Sequence, residues 1–420
     1  MNIVHLSTYD LKGGAALSAY RLHRGLLRIG QDSSMLVKIK IGRDPTVSEF
    51  VLPMDLPRRW RRWVRRKAIV RSAGSYAKSR PSGFELFSED RTPYGGSVLD
   101  QVPPCEVMNL HWVAAYLDYE QFIQAASRRA VIVWTLHDMN AVTGGCHYDL
   151  GCGRFAQRCG ACPQLGSGDP NDLAGQVWDR KRALFERLDP RRLCVVTPSR
   201  WLAQMVKQSP IFSRFRVETI PYGIDLDDFA PRDRAAARDV LGIPQDVHVI
   251  LFLAEMVDNR RKGFPLLEQA LGDCARLVDR LWLLSVGHNP PRLKADIRGS
   301  HLDYVGNDRF LSLAYSAADL FVIPSLQDNL PNTVLEAMAC GTPVIGFDVG
   351  GIREMVRPGV TGTLVEPGDV GGLCDAMGAL LKDPATRHRM SRQARAIALT
   401  DYPLLAQARR YEELYHELTG

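Results

Sequence analysis

Pro324-Ser-Leu-Gln-Asp-Asn-Leu-Pro-Asn-Thr-Val-Leu-Glu-Ala-Met-Ala-Cys-Gly341 is the stretch on which the reading of this 420-residue chain turns. Residues 320–323 just before it are wholly apolar, as a buried strand would be. The stretch then crosses a polar loop and reads as a helix from about Asn332 onward. A helix that starts there offers its unpaired amide donors and positive dipole end to an anion, and a diphosphate is the obvious candidate. Asp328 falls on the loop and Glu336 on the first turns of the helix, so two carboxylates can address two parts of one ligand. Glu336 suits a ribose diol, and Asp328 lies nearer the phosphate and the reacting sugar. Taken singly, each could equally be a loop-solvating acid or a partner of the helix dipole. The sequel favours a site: Gly341-Thr-Pro-Val-Ile-Gly turns into a further strand, and Gly350-Gly351-Ile-Arg-Glu354 brings a second glycine turn where backbone can approach a ligand closely.

Outward from that segment, short β-branched runs alternate with helix-period segments, the pattern of parallel α/β layers. Strands are expected near 3–6, 35–37, 107–110, 131–136 and 193–197, then near 247–253, 281–286, 304–306, 320–323 and 343–347. A chain of 420 residues exceeds what one core usually supports, so two lobes are expected. Ile220-Pro-Tyr-Gly-Ile-Asp225 marks the boundary. The expected division is a first Rossmann-like lobe over 1–219, a second over 220–400, and a terminal helix over 401–420 packing back on the first. Ligands of open parallel sheets sit beyond the carboxyl ends of the strands, which points to a cleft between the lobes.

The amino terminus lacks the basic lead-in, apolar centre and cleavage site of a signal peptide. No apolar run approaches the roughly 18 residues of a spanning helix, so the protein is expected in the cytoplasm. The net charge of +6 is concentrated: residues 57–71 hold eight basic side chains and no acidic one, leaving −2 elsewhere. Within 56–67, Leu56, Trp60, Trp63 and Val64 share one helical face with arginines around it. That is the pattern of an interfacial helix on an anionic membrane; packing of the tryptophans on the first lobe is the alternative, and nucleic-acid binding lacks an accompanying recognition fold.

Five of the nine cysteines are isolated and read as small core residues. Cys146, Cys152, Cys159 and Cys162 cluster in a Gly-rich loop over 144–165, with a final Cys-x-x-Cys. Four thiolates there suit a structural zinc, with a disulfide or redox pair and unliganded thiols as the other readings. Asp225-Leu-Asp227 formally matches an acidic metal triplet but reads better as a turn or cap.

Residues 324–354 resemble the donor signature of the family 4 glycosyltransferases, a retaining group of GT-B architecture in which two Rossmann-like lobes face each other across a cleft. The resemblance extends over nearly the whole chain and is weakest over 41–102. In that family the paired acids are normally both Glu, and here the first is Asp328. The resemblance implies that Arg261 and Lys262, in Arg260-Arg261-Lys262-Gly263, neutralise the donor diphosphate. It further implies that His137, at the end of a strand, contacts the transferred sugar alongside Asp328 and Glu336 as catalytic residues. Gly13, Gly14, Asn329 and Leu330 complete the expected donor contacts, with His111 and Asp138 on the acceptor side. No catalytic metal is needed in this scheme.

The function so implied is transfer of a sugar, with retention, from a nucleoside-diphosphate sugar to a hydroxyl acceptor in cell-surface polysaccharide, lipopolysaccharide or glycolipid assembly. The expected partners are the nucleotide sugar, a sugar or lipid-linked sugar acceptor, and the inner face of the cytoplasmic membrane, met peripherally through 56–71; no nucleic acid is expected. A nucleotide-sugar epimerase on the same scaffold and a non-catalytic sugar-nucleotide binder are the rival readings.

Overall fold

The structure is a computed structural model that describes residues 1–291, 293 and 297–420. It divides into two compact units, residues 1–221 with 405–420, and residues 222–404. In the first unit, β1 (Asn2–Tyr9), β2 (Asp32–Ile39), β3 (Val47–Glu49), β4 (Val107–Leu110), β5 (Val131–Thr135), β6 (Leu193–Thr197) and β7 (Arg216–Thr219) form one sheet in the order β3-β2-β1-β4-β5-β6-β7. In the second, β8 (His248–Met256), β9 (Leu281–His288), β10 (Arg298–Leu302), β11 (Leu320–Ile323), β12 (Val344–Phe347) and β13 (Gly362–Val365) run in the order β10-β9-β8-β11-β12-β13. Every strand pairing in both sheets is parallel.

Parallel neighbours need crossover connections, and the helices that make them cover both faces of each sheet. The twofold alternation of side chains along a strand therefore builds two cores per sheet. Val4, Leu6, Met108, Leu110, Ile132 and Trp134 fill one face of the first sheet. Ile3, Val107, Val133, Cys194 and Val196 fill the other, together with Ala408, Tyr411, Leu414 and Tyr415 of the terminal helix Leu404–Thr419. The second unit repeats the scheme: Val249, Leu251, Phe321 and Ile323 face one way, and Ile250, Phe252, Leu320 and Val322 the other.

One expected strand is wrong. Residues 304–306 are a loop, and the edge strand is β10, paired from Arg298↔Trp282 to Leu302↔Val286. The reason is local: Asn307 caps the next helix by accepting from the Phe310 amide at 2.9 Å, so the chain has already turned out of the sheet. Gly299 allows β10 to lie close, because a Cβ there would stand 2.4 Å from the Leu283 carbonyl oxygen.

Both sheets reverse their winding once, between β1 and β4 and between β8 and β11. The loops leaving the carboxyl ends of those strand pairs diverge to opposite sides and leave room for a ligand. These two positions are where the chemistry-bearing residues collect.

Candidate functional site

At the switch point of the second unit, the chain leaving β8 forms the turn Arg260–Lys262, and the chain leaving β11 forms the loop 324–331. The two are pinned to each other. The Leu326 amide donates to the Arg261 carbonyl at 2.8 Å, and Arg261 donates to the Gln327 carbonyl at 2.6 Å. Gly263, at φ +73°, lies where a Cβ would meet the Pro324 carbonyl oxygen at 1.8 Å, so only glycine allows this contact. Gly350 plays the same part on the other side of the loop, with its Cβ position 1.9 Å from the Asp328 carbonyl oxygen, which also accepts from the Gly351 amide at 3.1 Å.

Asp328 is buried in this knot. Its carboxylate accepts from Lys262 Nζ at 2.6 Å and lies 3.2 Å from the Arg261 guanidinium. Burial alone would raise its pKa; Lys262 and Arg261 outweigh that and bring it down to about 2. Asp328 thus balances the two cations assigned to the diphosphate. Of these, Arg261 is buried against the loop, whereas Lys262 keeps part of its side chain in solvent. An ammonium carries three donors, so the bond to Asp328 leaves Lys262 able to address an anion as well.

The helix Asn332–Ala339 starts at Pro331 with no side chain capping it. Glu336 is buried on its inner turn and accepts from the Tyr315 hydroxyl at 3.0 Å. Asn329 is buried, with its amide donating to Asp328 at 3.2 Å. Leu330 lies in the core, so only its backbone can meet a donor. Asp225 forms a local turn, accepting from the Asp227 amide at 3.0 Å.

The remaining expected residues belong to the first unit. Gly13, at φ +83°, caps the helix Gly14–Arg28 without a side-chain hydrogen bond. His111 follows β4 and His137 follows β5, and their rings meet, with His111 Nδ1 3.1 Å from His137 Nε2. Burial brings the His137 pKa down to about 4, so the ring is neutral at ordinary pH. Asp138 is engaged at both oxygens: it accepts from Trp112 Nε1 at 2.9 Å, from His147 Nδ1 at 2.6 Å and from the Asn140 amide at 2.8 Å. These bonds and His147 overcome burial and lower its pKa.

His5, His147 and Lys181 are functional-looking residues that the sequence did not single out. The signal was present for His5, a titratable side chain inside an otherwise apolar strand. Lys181 is buried and donates to the Asn140 and Thr143 carbonyls at 2.6 and 3.0 Å, holding the start of the cysteine loop.

Cys146, Cys152, Cys159 and Cys162 all line one cavity of about 20 Å³. Three are buried and Cys152 is exposed, and all are free thiols. Burial pushes Cys159 up to about 12, so a proton must leave before it can ligate a metal. Among the described residues no three His, Cys, Asp or Glu side chains stand ready to hold a metal ion. The helix Leu56–Gly74 has no buried residue at all. Leu56, Trp60 and Trp63 are 77%, 66% and 53% exposed, so these side chains leave most of their surface in solvent. Among the described residues no helix is long and apolar enough to cross a membrane.

The buried imidazoles give the first unit a pH dependence of definite sign. His5 and His111 are held well below their ordinary value by burial and by neighbouring histidines, and His137 at about 4. Below about pH 6.5 the unfolded chain takes up protons that the folded unit refuses. Stability should therefore be full above that pH and decline as pH falls toward 4. Thermal unfolding midpoints of the first unit's transition at intervals between pH 7.5 and 4.5 check this; a flat profile contradicts it.

Residues 247–383 match the family model described as "Glycosyl transferases group 1". The D-inositol 3-phosphate glycosyltransferase of Mycobacterium avium (strain 104) is 36% identical over 193 residues, covering 44% of this chain and 46% of that protein. That of Geodermatophilus obscurus is 39% identical over 198 residues, covering 43% of each. The match thus spans less than half the length of these relatives. Sucrose-phosphate synthase from Thermosynechococcus elongatus shares the fold over 100% of this chain and 99% of its own, with a TM-score of 0.66 at 20% identity. Anabaena Alr3699/HepE in complex with UDP-glucose does so over 99% and 100%, with a TM-score of 0.66 at 16% identity. The fold is that of the GT-B glycosyltransferase structures. With its cation-bearing turn, paired acids and glycine turns at one switch point, the second unit carries a domain of the group 1 glycosyltransferases.

Proposed function

We propose that this chain is a retaining glycosyltransferase that moves a sugar from a nucleoside-diphosphate sugar to a hydroxyl acceptor in cell-surface polysaccharide or glycolipid assembly. The observation that carries the reading is the knot of Lys262, Arg261 and Asp328 beside the uncapped helix that bears Glu336. Lys262 and the first-turn amides would take the diphosphate, and Glu336 the ribose. Asp328 keeps the two cations in place and compensates them until the donor arrives. As diphosphate charge grows on the departing nucleotide, the fixed positive charge stabilises it without reorganisation. On this reading the acceptor hydroxyl attacks on the face the nucleotide leaves, and the leaving phosphate takes its proton. His137 of the first unit contacts the transferred sugar, His111 and Asp138 lie on the acceptor side, and Gly13 and Gly14 approach the phosphates.

Incubation with UDP, GDP and ADP sugars should give nucleoside-diphosphate release that requires an acceptor. Glu336→Gln should lower kcat/KM by roughly tenfold to a hundredfold, the worth of a hydrogen bond to a charged group. An epimerised sugar nucleotide formed without acceptor, or a Glu336→Gln protein as active as its parent, overturns the assignment.

The helix Leu56–Gly74 extends the proposal to a membrane surface. Its exposed tryptophans stand among arginines, and Lys67 Nζ lies 3.8 Å from the Trp63 ring centre. An apolar edge ringed by cations suits an anionic bilayer and a lipid-linked acceptor. The protein should sediment with vesicles containing phosphatidylglycerol and not with pure phosphatidylcholine, and Trp60→Ala/Trp63→Ala should lose that binding; equal sedimentation with both vesicles contradicts the proposal.

The four clustered cysteines support a structural zinc, because all of them face one cavity large enough for an ion. Binding would draw the four thiols together around the ion, the exposed Cys152 with them, and displace their protons. Metal analysis after mild purification should find about one zinc per chain; protein that is folded and free of metal removes the zinc.

A further inference from the structure

Beyond the residues already placed, the first unit contains a run of imidazoles that crosses its switch point. His5 sits on β1, His111 just past β4 and His137 just past β5, three neighbouring strands of the sheet. His5 Nδ1 lies 2.9 Å from His111 Nε2, and His111 Nδ1 lies 3.1 Å from His137 Nε2. The ring centres are 5.2 and 5.3 Å apart with interplanar angles of 27° and 29°. All three side chains are buried: His5 is fully enclosed, His111 is 2% exposed and His137 8%.

We infer that His5 and His111 are positioning residues, which fix the ring of His137 and decide which of its nitrogens carries the proton. The inference rests on the proposed role of His137 toward the transferred sugar. Its logic is the arithmetic of donors and acceptors. A neutral imidazole has one N–H and one bare nitrogen, so each bridge in the series needs one of each. If His111 donates through Nε2, its Nδ1 accepts and His137 must carry its proton on Nε2. If His111 donates through Nδ1, then His5 donates through Nδ1 and His137 carries its proton on Nδ1. No mixed arrangement satisfies both bridges, so the tautomer of His137 is coupled to that of His5, two rings away.

His5 Nε2 is buried and has no hydrogen-bond partner among the described residues. Under the first polarity that atom is an orphaned N–H; under the second it is an unused acceptor. Orphaned buried N–H groups are the rarer case, which selects the second. His23 closes the far side of His5 edge-on at 5.8 Å, with both nitrogens taken by the hydroxyls of Ser33 and Thr46 at 2.8 Å, so it cannot relieve Nε2. The burial that keeps these rings neutral maintains the one-donor, one-acceptor condition.

The test reads tautomers directly, on the full chain with ¹⁵N-labelled histidine, by long-range proton–nitrogen correlation spectra. His137 in the parent protein should carry its proton on Nδ1. His5→Phe should leave His111 and His137 as tautomer mixtures and lower kcat by about tenfold or more with donor KM little changed, the pattern of a lost transition-state contact. His5→Asn, whose amide can occupy the place of Nδ1 and donate to His111, should restore both. Should the phenylalanine protein not fold, His5→Gln, which moves the amide toward the place of Nε2, is read in the same way. A parent His137 protonated on Nε2, a His137 tautomer indifferent to His5, or a tautomer change with kcat untouched each overturns the inference. The spectra need no substrate, so a parent protein without transferase activity fails the functional proposal alone, and the spectra still decide whether the series fixes His137.

Discussion

The parallel pairing of every strand is the constraint from which the rest follows. A parallel strand can be reached only by crossing back over the sheet, so all carboxyl ends in a unit lie along one edge. Where the winding reverses, between β8 and β11, the two departing loops are neighbours in space although 66 residues separate Lys262 from Asp328. The same reversal between β1 and β4 brings His5 to His111 across 106 residues. Both constellations are products of topology and neither is local in sequence.

Within the second unit the loops are fixed by backbone contact first and by charge second. Gly263 and Gly350 allow the chain to lie against Pro324 and Asp328 at distances no side chain would tolerate. That closeness buries Asp328, and a buried carboxylate is stable only with its cations beside it. The pair of cations and the single acid leave a net positive site facing an uncapped helix start, which is the electrostatic setting a diphosphate requires. The first unit instead collects neutral stacked imidazoles, beside an Asp138 carboxylate whose oxygens are already spoken for.

Much of this was legible in the sequence. The apolar runs that became β4, β5, β11 and β12 stand out because strands buried on both faces lose their alternation. The start of the helix at Asn332 follows from the polar loop before it. The short or polar edge strands β3, β7 and β13 carry too little apolar signal to be read, and β10 was displaced because Gly299 hides a close strand contact. At the site, residue types were readable but their pairings were not. Nothing local says that Asp328 binds Lys262, that Arg261 braces a loop, that Leu330 turns into the core, or that His5 reaches His111. Each of these depends on which strands become neighbours.

The most direct measurement is a crystal structure of the protein with a bound nucleoside diphosphate. Phosphate oxygens should lie within hydrogen-bond distance of Lys262 Nζ and the first amides of the helix Asn332–Ala339, with the ribose hydroxyls on Glu336. A nucleotide seated elsewhere, with the Lys262–Asp328 pair undisturbed and Glu336 untouched, would contradict it.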